Sequence, residues 1–139
     1  MAKVVNLFRA VKKRLPMAEL EEVQVLQDSG FEACAHARPG GKRQVLLVDR
    51  ETLEAMELKP GIIRENITTD GLDVNGLRPG DLLRVGKIQL EVSMPCDPCE
   101  LMEEIRPGLQ QELQGRRGTL CRVLEGGLLR RGDAIEKIS

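Results

Sequence analysis

Two segments near the middle of the chain decide its fold: PGIIRENITTDGLD, residues 60–73, and LRPGDLLRVG, residues 77–86. The first predicts a strand within residues 62–75, broken by a turn at its Asp-Gly step. The second begins with a tight turn at residues 78–81. This turn leads into one strand at residues 82–85, and a second strand is expected after Gly86. Short turns between successive strands are typical of a β-meander, so a mainly β fold is expected.

The segments that precede this meander also favour strands. Residues 4–11 and 21–28 are β-prone, and Val23 and Val25 in the second alternate with polar residues, as in a strand buried on one face. Residues 43–48 form an apolar run without alternation, which indicates a central strand buried on both faces. Asp49 is a suitable N-cap for a helix over residues 50–57, which Pro60 then ends.

The segments that follow the meander predict short helices and a return to strands. Asp97 fits an N-cap, Pro98 the first helical position and Glu100 the third, so Cys99 is expected in the first turn of a helix. A second short helix is predicted over residues 109–114, and a final pair of strands follows it. Gly132-Asp133 repeats the Gly80-Asp81 step and predicts a second strand-entry turn of the same kind.

Length and composition bound the function. The 139 residues are 41% hydrophobic and 31% charged, which predicts one folded domain over residues 1–139. The net charge is −1 and the only aromatic residues are Phe8 and Phe31, so we expect no nucleic-acid partner. Apolar runs such as residues 45–48 are too short to cross a bilayer, which predicts no membrane association and a cytoplasmic location.

Four cysteines carry the chemistry that the sequence suggests. In a reducing compartment Cys34, Cys96, Cys99 and Cys121 are expected as thiols, metal ligands or catalysts rather than as disulfides. The Cys-Asp-Pro-Cys motif has three interpretations: a redox dithiol, half of a zinc site, or a reactive thiol beside a bystander. The redox interpretation ranks lowest because a meander, and not a βαβ unit, surrounds the motif.

Cys99 has the properties expected of the reactive thiol. A helix N-terminus would stabilise its thiolate, whereas Asp97 and Glu100 would raise its pKa unless a cation such as Arg106 compensates. For a zinc site, Cys34 and His36 would supply two further soft ligands and complete a set of three cysteines and one histidine.

The two opening segments closely resemble the MOSC family, the molybdenum cofactor sulfurase C-terminal domain. The resemblance continues through Pro98-Cys99, residues 115–118 and residues 123–133, and spans roughly residues 30–135. It implies a closed β-barrel with a few short helices. It also implies a cysteine that either carries sulfane sulfur or ligates the molybdenum of a pterin cofactor.

Carried over to this chain, the resemblance makes Cys99 the signature thiol. It also assigns a pocket-lining role to one polar segment, namely Arg64, Glu65, Asn66, Thr68 and Thr69. Residues 30–36 resemble the family's Gly-x-x-Gly-Asp-x-His loop and keep His36, but Cys34 stands in place of the aspartate. Cys96 stands where the family often has a basic residue. As a hypothesis, Cys34, His36, Cys96 and Cys99 form a soft-metal site or a thiol relay.

Three functions are expected from this reasoning. The first is a sulfur carrier that receives sulfane sulfur on Cys99, with Cys96 as a resolving thiol and a separate protein as acceptor. No pyridoxal-phosphate lysine motif is visible, so the donor would be a separate cysteine desulfurase. The second is a reductase-type subunit that binds molybdopterin, with Arg64 or Arg106 on its phosphate. The third is a zinc-binding or non-catalytic interaction module, in which Cys99 is an ordinary free cysteine.

Overall fold

The computed structural model describes residues 2–12 and 15–138, which form eleven strands, three short α-helices and one 3₁₀ helix. The strands are β1 (Ala2–Arg9), β2 (Ala18–Leu20), β3 (Glu22–Leu26), β4 (Gly30–Phe31), β5 (Val45–Asp49), β6 (Ile67–Asp70), β7 (Leu82–Val85), β8 (Ile88–Pro95), β9 (Thr119–Glu125), β10 (Gly127–Arg130) and β11 (Ala134–Lys137). The α-helices are α1 (Arg50–Ala55), α2 (Met102–Ile105) and α3 (Leu109–Glu112), and the 3₁₀ helix spans Val74–Gly76. No helix in the described ranges is both long and apolar enough to span a bilayer.

Seven strands close into a barrel, as the sequence predicted. Their order is β11-β7-β8-β9-β5-β6-β1, and β11 pairs back onto β1 through the pair Ala2 and Ile135. The short strand β2 adds to β1 outside this ring. Closure leaves the seven barrel strands without a free edge in the ring, which protects their backbone hydrogen bonds.

A second sheet of three strands, in the order β10-β3-β4, covers part of the barrel. Its inward residues Val23, Val25, Phe31 and Leu129 belong to the same hydrophobic core as the barrel interior. The alternating burial of β3 confirms the one-sided strand predicted from Val23 and Val25.

Strand β5 is buried on both faces, as its unbroken apolar run predicted. Val45 and Leu47 point into the barrel core, whereas Leu46 and Val48 belong to an outer cluster covered by the helices. Asp49 caps α1 as expected, because its carboxylate accepts a hydrogen bond from the backbone N–H of Thr52 at 3.1 Å.

The two Gly-Asp turns are built alike. Asp81 accepts a hydrogen bond from the backbone N–H of Arg78 at 2.9 Å, and Asp133 accepts one from Arg130 at 2.9 Å. Gly80 and Gly132 have φ values of 94° and 89°, a left-handed region that glycine enters at little cost. Both turns therefore use the same chemistry to enter a strand.

The strand predicted within residues 62–75 is shorter than expected. Only β6 pairs, because the chain turns at Arg64, whose φ is +67°. The buried carboxylate of Glu65 holds this turn by accepting hydrogen bonds from the N–H of Gly61 at 2.8 Å and the hydroxyl of Thr68 at 2.9 Å. At the C-terminal end, three strands (β9, β10 and β11) stand where a pair was predicted.

The helix predicted to begin at Asp97 begins instead at Met102, so the expected position of Cys99 was wrong. Residues 97–99 are in neither a helix nor a strand, and the carbonyl of Cys99 accepts a hydrogen bond from the N–H of Met102 at 3.0 Å across a turn that precedes α2. Met102 is 3% exposed and packs in the outer cluster. Packing at Met102, rather than capping at Asp97, decides where the helix starts, and Cys99 lies outside it.

Candidate functional site

Two adjoining clefts lie beside the Cys96–Cys99 segment. The first, which we call the cationic cleft, has a volume of about 380 Å³. Its lining residues are His36, Arg38, Gly41, Lys42, Arg43, Leu46, Arg64, Asn66, Cys96, Arg117 and Leu120. Five of these eleven residues are Lys or Arg and none is acidic, so the cleft presents concentrated positive charge.

The second cleft, which we call the Cys99 groove, has a volume of about 590 Å³ and is mainly apolar. Its lining residues are Phe8, Leu15, Pro16, Met17, Lys59, Pro60, Gly61, Ile62, Arg64, Cys99, Leu101, Met102, Glu104, Ile105 and Arg117. Arg64 and Arg117 line both clefts and form the wall between them.

Arg117 is the most unusual residue of this wall. It is 7% exposed, and its Nη2 donates a hydrogen bond to the carbonyl of Ile63 at 2.7 Å. Its Nε and Nη1 are buried and have no hydrogen-bond partner among the described residues. Buried N–H groups are nearly always paired in folded proteins, so two unpaired ones on a single guanidinium indicate a site for an acceptor.

His36 is held neutral by its surroundings. Burial, followed by the charges of Arg64, Arg38 and Arg117, lowers the pKa of His36 from 6.5 to about 4, and a hydrogen bond with Asn66 opposes the shift. At neutral pH the imidazole therefore adds a hydrogen-bonding group to the cationic cleft without adding charge.

We expect this shift to be directly measurable because His36 is the single histidine of the chain. Its imidazole resonances in ¹H–¹³C NMR should titrate near pH 4 in the folded protein and near 6.5 in urea. Since the folded chain binds this proton more weakly, the His36 contribution to stability is complete above pH 6.5 and is lost as the pH falls towards 4. In Arg64→Gln the folded pKa should rise, and a wild-type midpoint at pH 6 or above would contradict the assignment.

The four cysteines lie in different environments. Cys99 is exposed, whereas Cys34, Cys96 and Cys121 are buried, and all four are free. Burial raises the pKa of Cys96, although the charges of Arg117 and Arg43 oppose this, and the neighbouring Cys99 adds to the increase. Burial alone raises the pKa of Cys121 far above its usual range. Cys99 is therefore the thiol that a partner can reach.

Cys34 serves the fold on the inner side of the cationic cleft. Its Sγ accepts hydrogen bonds from the backbone N–H of Ala10 at 3.3 Å and of His36 at 3.4 Å, and from Nδ2 of Asn66 at 3.5 Å. The sulfur of Cys34 is therefore a hydrogen-bond acceptor for three donors from three different parts of the fold.

The structure does not assemble the hypothetical metal ligand set of Cys34, His36, Cys96 and Cys99. No group of three or more His, Cys, Asp or Glu side chains within residues 2–12 and 15–138 is arranged to hold a metal ion. The reason is positional: Cys34 is turned towards backbone donors, while Cys96 and Cys99 line different clefts.

The remaining predicted site residues divide into two groups. Arg64 lines both clefts and Asn66 lines the cationic cleft. Glu65, Thr68 and Thr69 are buried behind the clefts and line neither, and burial raises the pKa of Glu65. Arg106 also lines neither cleft. It donates hydrogen bonds to the carbonyl of Met56 at 2.7 Å and to the carboxylate of Glu112 at 3.0 Å.

Most of the residues that give the site its positive charge were not predicted from the sequence. Arg38, Lys42 and Arg43 come from one loop, and its signal was three cations within six residues around the Gly40-Gly41 pair. Arg117 comes from the Gly115–Gly118 segment, which was noticed only as part of the resemblance. The Gly-Arg-Arg-Gly pattern does not show which of its two arginines is buried.

Comparisons with known proteins agree with this fold. The model of the family described as MOSC domain matches residues 35–136. The YuaD protein from Bacillus subtilis is similar, with a TM-score of 0.81, 20% identity, and coverage of 96% of this chain and 93% of that chain. YiiM from Geobacillus stearothermophilus is similar at a TM-score of 0.81 and 19% identity, over 100% and 76% of the two chains. YiiM from Escherichia coli has a TM-score of 0.74 and 23% identity, over 100% and 70%.

At these identities the likeness to solved structures establishes the fold. No curated protein matches the sequence. The chemistry of the site therefore depends on what its own residues can do.

Proposed function

This chain belongs to the MOSC family, and on that premise we propose that it carries sulfane sulfur on the thiol of Cys99. The observation that carries the proposal is the contrast among the four cysteines, all of which the structure describes. Cys99 is the exposed one, and it lies in a groove large enough to receive a segment of another protein.

The sulfur transfer that we propose is an exchange between thiols. The Cys99 thiolate attacks the outer sulfur of a persulfide on a cysteine desulfurase, a new S–S bond forms on Cys99, and the donor cysteine leaves as a thiolate. An acceptor thiolate then attacks the outer sulfur and releases the Cys99 thiolate. The two steps transfer one sulfur atom without an external oxidant or reductant.

The Cys99 groove has the composition of a protein contact surface. Leu15, Ile62 and Leu101 line it and are 48%, 42% and 37% exposed, so apolar area remains in contact with solvent around the thiol. Lys59 and Arg64 add positive charge at the same groove. A donor or acceptor loop with apolar and acidic residues would complement it.

Cys96 is suited to act second. It is 9% exposed and its raised pKa keeps it protonated at neutral pH, so it competes poorly for an incoming sulfur. Once Cys99 carries a persulfide, attack by Cys96 on the Cys99 sulfur would form a Cys96–Cys99 disulfide and release hydrogen sulfide. Such a step would discharge a persulfide that found no acceptor.

The proposal is tested by loading the reduced protein with a cysteine desulfurase and L-cysteine, followed by intact-mass and peptide mass spectrometry. We expect the wild type to gain the mass of one sulfur atom, on the peptide that contains Cys99. Cys99→Ser should gain none. Cys96→Ser is the matched control, and it should load normally and hold its persulfide longer because the resolving thiol is absent.

Two results would overturn the sulfur-carrier function. One is a wild-type protein that gains no sulfur from a desulfurase that loads a known persulfide acceptor in the same reaction. The other is equal loading of wild type and Cys99→Ser, which would place the sulfur on another thiol.

The cationic cleft favours a second candidate, the binding of a molybdenum pterin cofactor. The unpaired Nε and Nη1 of Arg117 and the surrounding cations fit an anionic phosphate, and Cys99 offers a soft thiolate ligand across the wall. When bound, this group would supply the two-electron reduction chemistry that the family uses on N-hydroxylated compounds. Arg64 and Arg117 would orient it, and the neutral His36 could donate a hydrogen bond.

Elemental and mass analysis of the protein purified from a cofactor-producing host separates the two candidates. Stoichiometric molybdenum with pterin that disappears in Cys99→Ser would support the cofactor function. A metal-free protein that loads sulfur on Cys99 would support the carrier.

A further inference from the structure

The positive charge of the cationic cleft is not balanced by carboxylates. Arg38, Lys42, Arg43, Arg64 and Arg117 make no ion pair among the described residues, whereas Arg50, Arg106, Arg122, Arg130, Arg131 and Lys137 each pair with an Asp or Glu. Three of the five donate hydrogen bonds to backbone carbonyls, and Arg117 does so to Ile63. Arg38 donates to Ala35 and Ala37, and Arg64 donates to Lys12 and Leu15. These bonds fix the guanidinium groups without neutralising them, so the cleft is organised for an anion.

Arg117 supplies the anchor of this anion site. Its guanidinium is more than nine-tenths buried, and one nitrogen is tied to the carbonyl of Ile63. The two remaining donors, Nε and Nη1, have no partner among the described residues, so each can donate a hydrogen bond to an oxyanion. Buried donors left unpaired are costly, and an oxyanion that accepts from them would remove that cost.

Both thiols of the Cys-Asp-Pro-Cys motif lie next to this anchor. Cys96 lines the cationic cleft, and the positive charge of Arg117 acts on it. Cys99 lines the groove on the other side of the wall that Arg64 and Arg117 form. Because Arg64 and Arg117 line both clefts, an anion that they bind would be close to the wall that separates the two thiols.

Building on the proposed function, we propose that the cationic cleft binds a sulfur oxyanion of the thiosulfate class, which serves as a small-molecule sulfur donor to Cys99. Thiosulfate combines three properties that fit this site: two negative charges, oxygens that accept hydrogen bonds from guanidinium N–H groups, and a sulfur atom that a thiolate can take. Phosphate and sulfate share the first two properties but have no sulfur to transfer.

The proposed step balances without a co-reactant. The Cys99 thiolate attacks the outer sulfur of thiosulfate, an S–S bond forms on Cys99, and the S–S bond of thiosulfate breaks with its electron pair leaving on sulfite. The products are a Cys99 persulfide anion and sulfite, and the total charge is unchanged. The arginines bind the sulfonate oxygens in thiosulfate and in sulfite, so they also stabilise the leaving group.

The test measures binding and transfer separately. Binding of thiosulfate is measured by calorimetry on Cys99→Ser, in which no transfer can follow, with sulfate as a competitor. Transfer is measured on the reduced wild type as the added mass of one sulfur on the Cys99 peptide together with released sulfite. We expect one thiosulfate bound per chain, competition by sulfate, and one sulfite released per persulfide formed.

Variants locate the site. Arg117→Met should abolish binding, and Arg117→Lys should weaken it because a lysine keeps the charge but cannot donate to both Ile63 and the anion in the same geometry. Lys42 and Arg43 are exposed, so Lys42→Gln combined with Arg43→Gln should fold normally and weaken binding about tenfold through the loss of two charges. Arg84→Gln combined with Lys87→Gln removes the same charge from exposed positions outside both clefts, and should leave binding unchanged.

Each outcome decides the proposal. Binding and transfer that fall in the cleft variants and persist in the Arg84 and Lys87 control support it. Transfer that is equally fast in all variants overturns the site, and absence of any reaction with thiosulfate overturns the donor. If thiosulfate fails while a cysteine desulfurase still loads Cys99, the proposed function stands without this inference. If neither donor loads Cys99, both fail.

Discussion

Replacing Gly118 with alanine is expected to lower the free energy of unfolding by about 3–5 kcal/mol, from backbone strain together with overpacking. Gly118 has a φ of +109°, and a Cβ built on it would lie 2.4 Å from the carbonyl oxygen of Leu47. That oxygen belongs to the central strand β5, which is paired on both sides and cannot move aside. The barrel must open locally for the new methyl group to fit.

The same substitution should disturb the site. The carbonyl of Gly118 accepts a hydrogen bond from the backbone N–H of Cys96 at 2.9 Å, and Gly118 follows Arg117 directly. A shift at Gly118 therefore moves both the buried thiol and the anchor of the cationic cleft. We expect faster alkylation of Cys96 in Gly118→Ala, measured by peptide mass spectrometry at neutral pH.

Gly115→Ala is the matched control for this prediction. Gly115 also has a positive φ, +76°, but nothing lies within 4 Å of a Cβ built on it. Its cost should be only the strain of a left-handed alanine, about 1 kcal/mol. Urea unfolding followed by far-UV circular dichroism is the suitable measurement, because the chain contains no Trp or Tyr. Equal losses in the two variants would show that the contact with Leu47 carries no energy.

The sequence predicted those strands and turns whose structure depends on a residue pattern within a few consecutive residues. The alternation around Val23 and Val25 can bury only one face, and the apolar run that became β5 has to be covered on both. The Gly-Asp turns were also predictable, since the carboxylate and the glycine act within four residues. Closure into a barrel followed from the resemblance and was confirmed by the pairing of β1 with β11.

The site was less predictable because long-range contacts build it. The residue pattern around Asp97 is typical of a helix start, but Met102 is buried and the helix begins there, so Cys99 lies before it. Arg117 is distinguished by two missing hydrogen bonds, which no sequence pattern reports. Asn66 lines the cationic cleft, but its larger contribution is to the barrel.

Asn66 stands immediately before β6 and bonds to the neighbouring strands on both sides. Its backbone N–H donates to the carbonyl of Leu46 at 2.9 Å, and its carbonyl accepts from the N–H of Phe8 at 2.8 Å. Its side chain repeats the arrangement: Oδ1 accepts from the N–H of Leu46 at 3.0 Å, and Nδ2 donates to the carbonyl of Phe8 at 3.2 Å. The amide thus replaces one further residue of pairing to both β5 and β1.

Replacing Asn66 with alanine is therefore expected to cost about 3 kcal/mol of unfolding free energy, because it removes buried hydrogen bonds to two strands at once. Asn75→Ala is the control: its exposed amide also bonds to side chains, at 3.3 Å to Asp49 and 3.5 Å to Thr52. Its loss should cost no more than about 0.5 kcal/mol. Urea unfolding monitored by circular dichroism measures both.

A second measurement separates the architectural role of Asn66 from a role in sulfur loading. The Asn66 hydrogen bond raises the pKa of His36, so the His36 titration in folded Asn66→Ala should move below pH 4. Sulfur loading of Cys99 should persist, because Asn66 lines the cationic cleft and not the Cys99 groove. An Asn66→Ala protein with wild-type stability that no longer accepts sulfur from a desulfurase would instead make Asn66 part of the transfer site.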